Sequence, residues 1–247
     1  MSAAVASLWR HPIKSHGREA LRSVVLAVGQ TMPWDRVWAV AHEASKVTNE
    51  AWSRCANFSR VSKAPALMAI TCSLDEDAES VTLHHPERPD LTFKPDHQAD
   101  TFLDWVAPLI PQDRAASARI VRVPGRGMTD SDFPSVTLCS LSSHRAVEQK
   151  LGHPLSIHRW RGNIWIDGLD PWQEFEWMDR DISIGDVKLR ARERTDRCLA
   201  TTANPETGKR DADILGVLDH WGHNDFSVRA EVIEGGTVAI GAPVEVL

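Results

Sequence analysis

The chain has 247 residues, enough for one large β-rich domain or two modest ones with a buried core. Hydrophobic residues at 42% and charged residues at 25% exclude disorder for the bulk of the chain. The formal net charge of −6 argues against nucleic acid as a main partner, since such domains carry a basic excess, but it leaves room for a local basic pocket.

In chain order, alternation predicts a first strand from Val5 to Arg10, running into a turn at Pro12. Strands follow at Ser23 to Val28 and Val37 to Val40, then a buried strand from Pro65 to Leu74. A hairpin is expected from Val81–Leu83 and Leu91–Lys94 around the turn His85 to Asp90. Helical periodicity appears at 99–109, where Phe102, Leu103, Val106 and Leu109 share a face. Ile120 to Val123 reads as a strand. The Gly-, Pro- and Asp-rich stretch from Pro124 to Pro134 marks a loop and a boundary between two domains, 1–125 and 130–247.

The second domain opens with a strand, Ser135 to Cys139, and a helix capped by Ser142 or Ser143. Strands are expected at Leu155 to Arg159, Asn163 to Asp167 and Ile184 to Arg192, then a short helix from Asp211 to Trp221 capped by Asp211. A strand pair around Glu234-Gly235-Gly236 and a last strand close the chain. The expected fold is mixed α/β and β-rich, closer to a barrel than to a doubly wound sheet.

The four cysteines, Cys55, Cys72, Cys139 and Cys198, are widely spaced with no CxxC pair. That fits neither zinc nor an iron–sulfur cluster, and reduced thiols are the simpler reading. No signal-peptide pattern and no membrane-length apolar run is visible. The expectation is a cytoplasmic protein with neither membrane nor nucleic acid among its partners. No GxGxxG or P-loop signals a dinucleotide or nucleotide site.

Four stretches could carry chemistry. Arg190 to Cys198 is a strand leading into a polar turn. A thiol beside Arg197 and near Arg194 gains thiolate character, which suits a nucleophile or a soft metal ligand. The alternative is a buried cysteine acting as a small hydrophobe. In His158-Arg159-Trp160-Arg161-Gly162-Asn163, a strand would turn Arg159, Arg161 and Asn163 to one face, an anion fork or a solvated surface. Lys14-Ser15 sits in a turn that could bind phosphate. Arg36, entering a strand between aromatics, needs an anionic partner, either Asp35 or a ligand.

In order and spacing, LWRHPIKS, WDRVW, RWRGNI, PWQEFEW, ISIGDV, DRCLATTANPETG and GGTVAIGAPVEVL resemble MOSC proteins. They are most similar to those with an N-terminal MOSC β-barrel domain, including the mitochondrial amidoxime reducing component and its bacterial counterparts. The most specific string runs from Arg197 to Gly208. The resemblance implies an N-terminal MOSC β-barrel domain, a C-terminal MOSC β-barrel domain with a few short helices, and the molybdenum cofactor, Mo-molybdopterin. It implies Cys198 as molybdenum ligand and catalytic residue. Arg161, Asn163 and Arg197 would hold the cofactor, with Lys14, Ser15 and Arg36 near its phosphate. Thr48 matches a further position, and Ser142 or Ser143 would line the same cleft.

The family's R-F-R-P-N string has Trp160 and Gly162 here, positions that shape the backbone. Asp196 would either orient Arg197 or serve as a proton source. The implied reaction is reduction of an N-hydroxylated small molecule, with electrons from a separate redox protein because the chain has no carrier motif of its own. Rival readings are a sulfur transferase carrying a persulfide on Cys198 and a non-catalytic cofactor carrier.

Overall fold

The computed structural model describes residues 2–247. The first half runs through β1 (Ala4–Arg10), β2 (Glu19–Leu21), β3 (Ser23–Leu26), β4 (Trp38–His42), β5 (Thr71–Asp75), β6 (Ser80–His85), β7 (Arg88–Phe93), α1 (Ala99–Val106) and β8 (Ser117–Arg122). The second contains β9 (Val136–Ser140), α2 (Leu141–Leu151), β10 (Ile164–Asp167), β11 (Asp181–Ile184), β12 (Val187–Asp196), α3 (Ile214–Leu218), β13 (Asp225–Glu234), β14 (Gly236–Ala239) and β15 (Val244–Val246). The architecture is the expected strand-rich one with few, short helices. Among the described residues no helix is long and apolar enough to cross a membrane.

Eight strands form one sheet in the order β15-β11-β12-β13-β9-β10-β1-β2. Its one parallel pair is β9 with β10, and α2 lies on the crossover between them, since parallel neighbours cannot be joined by a tight turn. The chain's first strands belong to this sheet. β1 pairs with β10, and β3 pairs with β14 beside it. The shared core explains the arrangement: Val5, Leu8, Val24 and Leu26 are buried with Val136, Ile164 and Val228. Burying each such side chain contributes about 1.5–3 kcal/mol. Residues 4–26 thus tie the two halves together, independently of the loop at 124–134.

The rest of the first half forms the pair β4–β8 and the meander β5-β6-β7. A second core of Trp38, Leu67, Phe93 and Phe102 lies beneath them.

Some local expectations are corrected. Residues 65–74 are not one strand. Pro65–Ala69 forms a 3-10 turn and β5 starts at Thr71, because Pro65 lacks the N–H a strand ladder needs and suits the first helical position. Residues 157–160 also form a 3-10 turn, with the Ser156 hydroxyl accepting from His158 N. The helix caps are Ser140 and Asp213, which accept from Ser143 N and Gly216 N, rather than Ser142, Ser143 or Asp211.

Candidate functional site

A cavity of about 370 Å³ opens where the turn after β1, the 157–161 turn and the end of β12 converge. Lys14, Ser15, Arg36, Arg161, Arg197 and Cys198 all line it.

The turn after β1 is pinned to β4. Ile13 bridges to His16 and to Trp38, and Lys14 N donates to Trp38 O at 2.8 Å. This holds Ser15 at φ 66°, in the left-handed region. Lys14 is buried, and its Nζ donates to Met128 O at 2.6 Å and Asp130 Oδ1 at 2.5 Å. Desolvation works to raise the Asp130 carboxyl, but the Lys14 ammonium outweighs it and holds the group below the usual carboxylate range.

Arg36 finds both an internal partner and a structural role. Its Nη1 pairs with the fully buried Asp35, and its Nη2 donates to Arg161 O at 2.8 Å. Asp35 also accepts from His11 N at 2.8 Å. Burial pushes the Asp35 carboxyl up, yet Arg36 and His11 together hold it well below its ordinary value.

Arg161 adopts φ 51°, and its Nη2 donates to Gly17 O at 3.2 Å. Its Nη1 is buried without a partner. Burial, and then the neighbouring charges of Arg36 and Arg18, pull the guanidinium down to about 9. A desolvated cation among like charges with an unmade hydrogen bond is the arrangement that an anion relieves. At the next residue, Gly162, a Cβ would collide with Cys139 Sγ unless that side chain moved.

Arg197 is already committed. Nε and Nη2 donate to Phe226 O at 3.0 and 2.7 Å, Nη1 to Trp160 O at 2.8 Å, and Nη2 to Ser227 Oγ at 2.6 Å. The guanidinium lies against the stacked rings of Trp160 and Phe226, whose centroids are 3.7 Å apart. It fixes the turn that presents Cys198 and does not receive Asp196, so the expected orienting contact is absent. Asp196 is exposed and lines the cavity. Cys198 is exposed at the start of the Leu199–Thr202 turn, with its carbonyl accepting from Thr201 N and Oγ1, each at 3.1 Å. Arg194, expected beside the thiol, lies over the Phe175 ring at 4.3 Å.

Four other candidates do not line the cavity. Thr48 is exposed in a loop and accepts from Glu50 N. Ser142 accepts from Arg145 on the outer face of α2. Ser143 is buried, donating to Glu174 Oε2 and accepting from Trp172 N, each at 2.8 Å. Asn163 is buried and stitches strands, with Oδ1 accepting from Thr137 N and Nδ2 donating to Trp9 O. It shares no strand face with Arg159 and Arg161, which sit in and just after a 3-10 turn. Arg159 instead pairs with Asp211 at 2.6 Å.

The structure adds residues that sequence reading missed: Arg60, Lys63, Asp130 and Arg229. No motif flags them, although the basic pair in Arg60-Val61-Ser62-Lys63 was visible. Cys55 also lines the cavity and accepts from Arg60 Nη1 at 3.3 Å. Against Asp130 and Asp196 the walls carry Lys14, Arg36, Arg60, Lys63, Arg159, Arg161, Arg197 and Arg229. A net-acidic chain thus concentrates its cations at one cavity.

Residues 128–245 match the family model of the MOSC domain, and residues 2–115 match that of the MOSC N-terminal beta barrel domain. The mitochondrial amidoxime-reducing component 1 of Mus musculus is 23% identical, the match covering 98% of this chain and 82% of that protein. Among solved structures, the YuaD protein from Bacillus subtilis aligns over 100% of this chain and 96% of its own, at 10% identity and a TM-score of 0.48. YiiM from Geobacillus stearothermophilus aligns over 45% of this chain and 53% of its own, at 13% identity and a TM-score of 0.34.

Proposed function

Because the chain belongs to the MOSC family, with a MOSC N-terminal β-barrel domain ahead of a MOSC domain, we propose that it is a molybdenum-cofactor oxidoreductase that reduces N-hydroxylated compounds with electrons from a separate redox protein. The likeness to an amidoxime-reducing component over nearly the whole chain supports the reaction class. The observation that carries the reading is that the exposed Cys198 thiol shares one cavity with Arg161, whose buried Nη1 lacks a partner.

The residues present fit an anionic pterin cofactor. Lys14, Ser15, Arg36 and Arg161 would hold its phosphate and polar edges, and Cys198, deprotonated, would be the protein's one metal ligand. Among the described residues no three His, Cys, Asp or Glu side chains converge on a metal position, so the metal must arrive with other ligands of its own. When bound, the cofactor supplies a two-electron metal centre for cleaving an N–O bond. The chain contributes the charge that binds the cofactor and the Arg197 clamp that fixes the Cys198 turn. It also places the Asp196 carboxyl at the cavity wall.

The test is direct. Protein from a molybdenum-replete host is assayed for molybdenum and pterin, then for benzamidoxime reduction with dithionite-reduced viologen. Stoichiometric metal and turnover that vanish in Cys198→Ala are expected. Metal-free, pterin-free protein overturns the reading, and a persulfide on Cys198 without molybdenum favours sulfur transfer.

A further inference from the structure

A second cavity, of about 200 Å³, is lined in part by His42, Ala56, Phe58, Ile110 and Arg114. Arg60 and Lys63 line both cavities.

These two cations differ from most of those around the main cavity. Lys14 pairs with Asp130, Arg36 with Asp35, Arg159 with Asp211 and Arg229 with Glu193. Arg197 spends its donors on two backbone carbonyls and Ser227. The half-buried Arg60 guanidinium has one hydrogen bond, to Cys55 Sγ, which is a weak acceptor. Among the described residues, neither Arg60 nor Lys63 has a carboxylate within ion-pairing distance, and no Asp or Glu lines the second cavity.

Size points the same way. The main cavity lies at the small end of the range for ligand pockets, which runs from roughly 300 to 1,000 Å³. A bound cofactor would leave room there for the reacting end of a substrate and little more. The remainder of such a molecule would need a neighbouring space, and the second cavity, which shares Arg60 and Lys63 with the first, offers one.

We propose that Arg60 and Lys63 form an anion subsite, so that the substrates are N-hydroxylated compounds carrying an acidic substituent, such as a carboxylate, away from the N–O bond. This rests on the reductase reading above. Two uncompensated cations attract and orient such a group, and a neutral analogue gains nothing from them.

The experiment compares benzamidoxime with 4-carboxybenzamidoxime on cofactor-loaded protein, by kcat/KM with a chemical reductant and by calorimetric Kd. Three proteins are used: the wild type, Arg60→Gln/Lys63→Ala, and Lys63→Glu, which alters only an exposed side chain. The wild type is expected to favour the carboxylate by about tenfold or more. That ratio should fall toward unity in both the double variant and Lys63→Glu, where the new carboxylate offsets Arg60, with molybdenum and pterin content unchanged. Equal handling of both compounds by the wild type overturns the proposal. So does loss of cofactor from the double variant, because the cations would then belong to the cofactor. Tighter calorimetric binding of the carboxylate with no reduction of either compound leaves the subsite standing and sinks the reductase reading alone.

Discussion

Arg36 Nη2 donates to the backbone carbonyl of Arg161 at 2.8 Å, so a guanidinium from the first half of the chain holds the backbone that carries a guanidinium from the second. Both head groups reach one cavity, and only that of Arg36 has a carboxylate partner. Arg161→Gln is therefore expected to lower cofactor occupancy by about tenfold or more, the equivalent of one lost charge-assisted contact of about 1.5–3 kcal/mol. The cofactor-free variant should unfold at no lower temperature than the cofactor-free wild type, because the lost charge was buried among like charges. Pterin fluorescence and thermal unfolding measure the two effects. Equal pterin content in both proteins removes Arg161 from the binding role.

Asp35→Asn should behave in the opposite way. It leaves Arg36 partly buried without its counter-charge, which costs about 3–5 kcal/mol of stability. The Asp35 carboxyl is depressed in the folded state, so its contribution is present above the ordinary unfolded value of about 3.9 and is lost as pH falls through the folded one. Urea unfolding at pH 7 and pH 3 checks both points: the wild type loses stability on acidification, and the variant, already weaker, loses less.

Much of this site is legible in the sequence because its parts lie in local strings. Lys14, Ser15 and Arg36 flank β1 and β4, and Arg197 and Cys198 follow β12; all five line the cavity. Arg161 lines it too, although not in the geometry its string suggests. Alternation of Arg159 and Arg161 with bulky residues points to a strand, whereas Ser156 caps a 3-10 turn and Arg161 takes a left-handed φ. Asn163 shows the opposite pattern: its residue type suits a ligand contact, but its buried amide bonds to strand backbone and to Met32 Sδ. Arg60, Lys63 and Arg229 stay hidden in the sequence because their position depends on how the halves dock. That docking is set by long-range pairing such as β1 with β10, which no local period reveals.

Cys72, Cys139 and Cys198 should separate by environment. Cys72 and Cys139 are buried, and desolvation pushes both thiols up, Cys139 to about 12. At pH 8 a thiol reagent is expected to modify Cys198 quickly in cofactor-free native protein and to leave Cys72 and Cys139 untouched until the chain unfolds. Cofactor loading should protect Cys198. Mass spectrometry of labelled peptides reads this out, and rapid native labelling of Cys139 contradicts its burial in the core.

Reducing an N–O bond takes two electrons, and the sequence has no flavin or nicotinamide fingerprint. The loaded protein should therefore be inactive with NADH or NADPH alone and active with a chemical reductant or an added redox protein. Steady turnover with NADH and the isolated chain would reveal an internal carrier and remove the need for a donor protein.

Glu174 gives the fold a pH dependence remote from the cavity. It is almost fully buried, with Ser143 donating to Oε2 at 2.8 Å and Oε1 left without a partner. Burial is the dominant influence and pushes the carboxyl up to about 7, against the hydrogen bonds and the Arg194 charge that favour ionisation. A folded value above the unfolded one means that the group's stabilising effect is complete below the unfolded value and is lost as pH rises through about 7. The loss is on the order of 3–4 kcal/mol, since each tenfold change in proton affinity corresponds to about 1.4 kcal/mol. Buried His16 and half-buried His158, whose values are lowered by desolvation, oppose this trend, so the wild-type profile alone does not isolate it. The difference between the wild type and Glu174→Gln does. Relative to the variant, the wild type should lose stability between pH 5 and pH 8, as read from urea midpoints at each pH. Parallel profiles for the two proteins would mean that Glu174 keeps an ordinary carboxylate value and that solvent reaches its Oε1.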